Sequence, residues 1–182
     1  MVLRRALPKL PAPVILTARH PAEGGEANLG VAQRRALFAE LMPFAAWIDI
    51  ERRSVKELAL TLAEARDRGI KVIISSHDFA ATPPARSLSY LVRSARKLGA
   101  DVCKIATLTS TPADLAALLA LVTRPQPLPL SVMGMGRFGK ISRLLLAACG
   151  SRLNYGYLDQ PNASGQWPAV LLKKRLQELG EA

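Results

Sequence analysis

The sequence predicts an α/β fold built on a parallel sheet, and three features predict it. Short apolar runs, mostly β-branched, recur along the chain. Each is followed by a stretch of helical periodicity, and helix-start and helix-stop residues punctuate the alternation. Apolar runs without polar alternation are the pattern of strands covered on both faces. Strand–helix alternation in turn implies parallel pairing.

The first strand is expected at Val14–Ala18, with a helix at about Val31–Leu41. The second, Trp47–Ile50, leads into a helix over Val55–Arg68. There Ser54 and Glu57 have capping-box spacing and Gly69 stands at the C′ position. The third, Val72–Ser75, precedes a helix over Ala85–Leu98 that Gly99 ends. The fourth, Val102–Ala106, precedes Pro112–Val122, with Thr111 as cap and Pro112 at the first helical position. Leu128–Met133 and Ile141–Cys149 form a fifth unit, and Leu153–Leu158 and Pro168–Leu179 a sixth. Six βα units leave an open doubly wound sheet and a barrel as alternatives. A complete eight-fold barrel takes about 250 residues, and by count a chain of 182 residues is two units short.

Composition bounds the function. Hydrophobic residues make up 49% and charged residues 21%, the balance of one globular domain. No apolar run reaches the roughly 18–20 residues of a membrane helix, and Met1–Lys9 is not followed by a signal-type apolar segment. Cys103 and Cys149 have no metal-type spacing, so two buried thiols and a cytoplasmic setting are expected. The net charge of +11 raises nucleic-acid binding. Yet the basic residues are scattered along helices, without the aromatic interleaving that stacks on bases. A solvated basic surface, whose field also favours a small anionic substrate, is the expectation.

In either architecture chemistry gathers at the C-terminal ends of the strands, and the polar residues fall there. Arg19 ends the first strand, before the loop Glu23-Gly24-Gly25-Glu26. Asp49 and Glu51 end the second, and Ser75-Ser76-His77-Asp78 the third. Lys104 lies inside the fourth, between Val102-Cys103 and Ile105-Ala106. Desolvation there disfavours the ammonium, and a neutral buried amine can attack a carbonyl to form an imine. A lysine at a solvated strand end is the plainer reading. His77, one of two histidines, could shuttle protons, and Glu23 could orient it, although spacing alone reads Glu23 as a solvated loop charge. The segment Met135-Gly136-Arg137-Phe138-Gly139-Lys140-Ile141-Ser142-Arg143 is a glycine-rich helix entry that matches neither nucleotide-binding fingerprint. Its Arg143 can clamp a carboxylate. Gln166, in the turn Ala163-Ser164-Gly165-Gln166, could hold hydroxyls.

In this order, Arg19, Glu23, His77, Lys104, Arg143 and Gln166 resemble the type I 3-dehydroquinate dehydratase family. Leu16-Thr17-Ala18-Arg19 with Glu23-Gly24-Gly25 resembles its strand-end Arg and Glu-Gly-Gly loop. Ser76-His77-Asp78-Phe79 with Thr82-Pro83 resembles its His-Asp-Phe motif, and Lys104-Ile105-Ala106-Thr107 its lysine strand. Gly136 through Arg143, and Tyr155-Gly156-Tyr157-Leu158 through Gly165-Gln166, complete five collinear motifs over about Pro13 to Leu179. The resemblance implies a truncated or open TIM-type (β/α) barrel of six βα units, with the family's first two units absent. Residues 1–12 would be an N-terminal extension and residues 13–182 the β/α domain.

The activity it implies is dehydration of 3-dehydroquinate to 3-dehydroshikimate through a Schiff base, a step of the shikimate pathway without metal or cofactor. Lys104 would form the imine, His77 would be the general acid and base, and Glu23 would support it. Arg143 would bind the substrate carboxylate, and Arg19 and Gln166 would hold hydroxyls or the closing loop. Two departures stand out. Before Gln166, Ser164 replaces the family's Pro, and Asn162 replaces its Ser while keeping the capacity to bond a hydroxyl. The family's Glu-Trp-Arg, from a strand preceding the one that ends in Arg19, occurs nowhere in the sequence, so weaker substrate binding and reduced activity are expected. A non-catalytic dehydroquinase-like binding or regulatory protein, and a Schiff-base enzyme for a different keto acid, are the rival readings. A homodimer is expected as well. With six strands unable to close an eight-strand barrel, Val14–Ala18 and Leu153–Leu158 would be apolar edges that a second copy covers.

Overall fold

Leu16, Ile48, Ile50, Val72, Ile74, Cys103, Ile105, Leu130 and Val132 are buried in one continuous apolar cluster. They alternate along neighbouring strands, and period-two alternation sends them all to one face of the sheet. The computed structural model describes residues 2–180. Its single sheet has five parallel strands in sequential order: β1 (Ile15–Thr17), β2 (Trp47–Glu51), β3 (Lys71–Asp78), β4 (Val102–Leu108) and β5 (Leu130–Met135). The helices are α1 (Val2–Ala6), α2 (Val31–Leu41), α3 (Ala59–Asp67), α4 (Ala85–Lys97), α5 (Pro112–Thr123), α6 (Gly139–Ala148) and α7 (Ala169–Glu178). Phe38, Leu62, Leu88, Val92, Leu118 and Leu146 from α2 to α6 complete the cluster. The core therefore lies between the sheet and its helices, and the other face of the sheet is left for chemistry. Leu7, in a short 3-10 turn after α1, also rests against the core.

Helix ends follow the sequence signals in most places. Thr111 Oγ1 accepts from the Asp114 N–H at the start of α5, and the Asp114 side chain caps back. α3 and α4 both close with a bond from the residue after a left-handed glycine, Ile70 N to Ala65 O and Ala100 N to Ala95 O. The Ser54–Glu57 capping box does not form. Ser54 is fully buried and its hydroxyl accepts from Arg34 Nη1 at 3.0 Å, so the chain turns through Arg52–Ser54 and α3 begins only at Ala59.

The sixth expected strand, Leu153–Leu158, is not part of the sheet; its one ladder contact is an isolated bridge between Tyr157 and Pro168. The segment runs beside β5, but side chains occupy the groups a ladder would use. Ser151 Oγ bonds both the N–H and the carbonyl of Val132. Ser131 Oγ donates to Leu153 O, and Arg143 Nε donates to Tyr155 O. The α/β class stands, with five strands in the sheet.

Candidate active site

Strand register assembles the site. β3 and β4 pair Ser75 with Lys104 and His77 with Ala106, while β2 and β3 pair Glu51 with Ser75. Glu51, Ser75 and Lys104 thus share one level of the face away from the apolar core. Asp49 lies two residues below Glu51, and His77 two above Ser75.

Lys104 is 7% exposed. Its Nζ is 3.0 Å from Asp49 Oδ2 and 4.1 Å from the centre of the Tyr155 ring, a cation–π approach. Burial pulls the Lys104 ammonium below its usual range, and the Asp49 carboxylate offsets this only in part. Asp49 sits at a junction. It accepts from Lys104, from both terminal nitrogens of Arg19 (3.2 and 2.9 Å) and from Ser75 Oγ at 2.6 Å. Burial raises its proton affinity, but Lys104 and Arg19 outweigh that and hold the carboxyl well below the ordinary carboxylate range. Glu51 continues the chain of charges between Arg19 and the fully buried Arg34.

Glu23 and His77 form a second unit. Glu23 ends a 3-10 turn, Pro21–Glu23, that His20 caps through Nδ1 and Gly24 closes at φ +87°. A Cβ on Gly24 would lie 2.9 Å from the Phe79 ring, so the turn needs glycine for both conformation and space. Glu23 Oε2 accepts from the backbone N–H of His77 at 3.0 Å and lies 2.9 Å from His77 Nδ1. A carboxylate partner fixes the proton on Nδ1 and leaves Nε2 as the basic nitrogen. Burial lowers the proton affinity of His77, the Glu23 bond opposes this, and Arg19 and Lys104 reinforce it. At neutral pH the ring is a neutral base. The sequence left Glu23 as a loop charge, and the fold buries it against the histidine.

Arg19, Glu23, His77 and Lys104 line a cavity of about 200 Å3 together with Met133, Met135 and Tyr155. Arg143, Asn162 and Gln166 also reach it. Arg143 is buried, and its Nη1 donates to the carbonyls of Gly134, Gly139 and Gly165 at 2.7, 2.8 and 2.9 Å. Burial lowers its pKa to about 10, so it remains a cation at neutral pH, with Nη2 left without a protein acceptor among the described residues. Gln166 Oε1 accepts from the Asn162 N–H at 2.8 Å, closing the rim turn and leaving its amide donors for a ligand. Asn162 is exposed on that rim. Arg19, expected to hold hydroxyls or the closing loop, also lines the cavity. Asp49, Glu51 and Ser75 take its guanidinium, so its charge goes into holding the carboxylates.

Sequence reasoning placed Asp49, Glu51 and Ser75 at strand ends and Tyr155 in a motif without giving them a role, and it missed Arg34. The i, i+2 spacing of Asp49 and Glu51 on one strand face was the available signal. For Arg34, on a helix remote in sequence, there was none. Among the described residues no group of three or more His, Cys, Asp or Glu could hold a metal ion, and no helix is long and apolar enough to cross a membrane.

Known proteins are similar to this chain in sequence and in fold. A 3-dehydroquinate dehydratase from Enterococcus faecalis is 34% identical over 172 residues, covering 91% of this chain and 68% of that protein. One from Bacillus licheniformis is 37% identical over 174 residues, covering 92% and 68%. Among solved structures, 3-dehydroquinate dehydratase from Aquifex aeolicus superposes with a TM-score of 0.86 at 30% identity, over all of this chain and 82% of that one. The Geobacillus kaustophilus enzyme gives 0.84 at 28% identity, over 92% and 68%. Across residues 1–182 the sequence matches the family described as Type I 3-dehydroquinase. This chain belongs to the type I 3-dehydroquinase family.

Proposed function

We propose that the protein is a lyase that dehydrates 3-dehydroquinate to 3-dehydroshikimate through a Schiff base on Lys104. The observation that carries the reading is Lys104 itself. A strand-borne amine, buried and depressed toward its neutral form, faces the same cavity as the Glu23–His77 pair. Binding alone does not require that combination, and this sets the lyase reading above a non-catalytic binding or regulatory protein.

The neutral Lys104 amine attacks the substrate ketone, and the carbinolamine loses water to give the imine. The imine draws electrons from the neighbouring carbon, and His77 Nε2 removes the proton there, with Glu23 stabilising the imidazolium. The resulting enamine expels the hydroxyl one carbon further on, and His77 returns its proton so that water leaves. Hydrolysis of the conjugated imine then frees the product and the lysine. Arg143, through its remaining nitrogen, would hold the substrate carboxylate. The Gln166 amide and Asn162 would hold hydroxyls at the rim, and Arg19 would keep Asp49 and Glu51 ionised.

The test is borohydride reduction in the presence of 3-dehydroquinate, followed by mass mapping. A reduced adduct on Lys104, absent in Lys104→Ala, is expected. No adduct, or one on Lys71 or Lys140, overturns the assignment. His77→Ala should slow turnover by about 10²–10⁴-fold while the adduct still forms. An adduct with another keto acid but not with dehydroquinate would point to a different substrate for the same chemistry.

A further inference from the structure

A second cavity, of about 370 Å3, lies on the opposite face of the sheet from Lys104. Its walls come from the outward residues Ser76 and Asp78 of β3 and Ile105 and Thr107 of β4, the N-terminal half of α4, and the turn that carries Arg52 and Arg53. The Glu23–His77 pair borders both cavities.

The four arginines of the two cavities differ in one respect. Arg19 and Arg143 are engaged by several acceptors each, and Arg53 Nε lies 3.4 Å from Glu23 Oε1. Arg52 has no hydrogen bond or ion pair among the described residues. Its guanidinium carbon stands 5.7 Å from the centre of the Tyr90 ring, and its Nε is out of reach of solvent with no acceptor. A desolvated, unpaired donor on a cation is costly; Nε itself is closed to a ligand, and the terminal nitrogens, which have no acceptor among the described residues, are the ones an anion can reach. A guanidinium matches a carboxylate in a planar, two-pronged pair.

We propose that this outer cavity binds a small monocarboxylate with a flat apolar body, seated with its carboxylate on Arg52. Arg53 is paired with Glu23, so among the described residues of this cavity the unpaired Arg52 guanidinium is the one cation left to match a single negative charge. Arg52 and Arg53 face the carboxylates of Glu23 and Asp78 across the same space, so a dianion such as phosphate meets repulsion that a monoanion largely avoids. The Asp78 carboxylate is already used in part, accepting from the N–H groups of Ala80 and Ala81. Thr107 Oγ1 is 2.8 Å from Thr82 Oγ1. Ser76 and Ser87 remain as hydroxyl donors. Pro83, Leu91 and Ile105 supply the apolar wall against which a ring lies. The volume is in the range of small-molecule sites.

Benzoate is the probe, titrated by calorimetry and by the arginine Nε–Hε resonances of the nitrogen-labelled full chain. The expected result is a saturable shift of the Arg52 resonance and binding weakened at least about tenfold in Arg52→Gln, the loss of one charge-assisted hydrogen bond. Arg52→Lys, which keeps the charge and loses the fork, should also weaken it, and serves if the Gln variant does not fold. Binding should persist in Lys104→Ala. An unmoved Arg52 resonance, wild-type affinity in both Arg52 variants, loss of binding in Lys104→Ala, or tighter binding of inorganic phosphate than of benzoate would each overturn the proposal. Borohydride trapping with dehydroquinate, run in parallel, tests the lyase reading separately: it should survive in Arg52→Gln.

Discussion

Replacing Asp49 by Asn removes one negative charge from the place where the site's charges meet. The Asp49 side chain is 1% exposed and accepts from Arg19, Ser75 and Lys104. Asn keeps the shape but turns one acceptor oxygen into a donor that faces other donors, and leaves Arg19 and Lys104 with less counter-charge. Removing one partner of a buried ion pair costs about 3–5 kcal/mol. Deprotonation of Lys104 recovers part of that, so a loss near the lower figure is expected at neutral pH. Urea unfolding measures it as a fall in midpoint at unchanged slope. The sign of the pH dependence follows from Asp49 being held below its unfolded value of about 3.9. Its contribution is complete above that pH and is lost as pH falls through the lower folded-state value. The gap between wild type and variant should therefore close in acid. Asp49 is also a group that raises the proton affinity of Lys104, so the pH midpoint for reductive alkylation of Lys104 should move down in the variant. A stability loss under about 1 kcal/mol, or a midpoint that moves up, would refute the reasoning.

Three further outcomes are expected. Gly165 has φ +77°, and a Cβ there would lie 2.6 Å from Gly136 O and 2.7 Å from Gly139 Cα. Gly165→Ala should therefore add about 1–2 kcal/mol of left-handed strain and push the Gln166 turn outward. Weaker dehydroquinate affinity with Lys104 still trappable is the expected reading, and unchanged affinity would count against a role for that rim. Among the described residues the buried Tyr155 hydroxyl has no partner, so Tyr155→Phe should raise stability by about 1–3 kcal/mol in the same urea assay; a loss would mean that the hydroxyl has a partner. For the proposed homodimer, light scattering should give about twice 19.6 kDa, and the single-chain mass at micromolar concentration would reject it.

The sequence by itself determined the βα alternation, because periods of two and of about 3.6 are written in the order of apolar residues. It also determined where α5 begins and where α4 ends, because a cap and a terminal glycine act locally. Lys104 was legible because a charge inside an apolar strand is conspicuous, and His77 because polar residues at the end of a buried strand are. Local rules failed where distant groups competed for the same atoms. Ser54 was read as a cap, but Arg34 and burial claimed it. Leu153–Leu158 has strand character, yet Ser131, Ser151 and Arg143 side chains hold the places a ladder needs. Spacing left Glu23 a loop charge and only the resemblance tied it to His77; the tertiary structure alone decided that Asp49 rather than solvent faces Lys104, and that Arg19 points at carboxylates. Those are facts of register and of loops folding over strand ends, and electrostatic contacts between residues 30 to 55 positions apart leave no periodic trace in the chain.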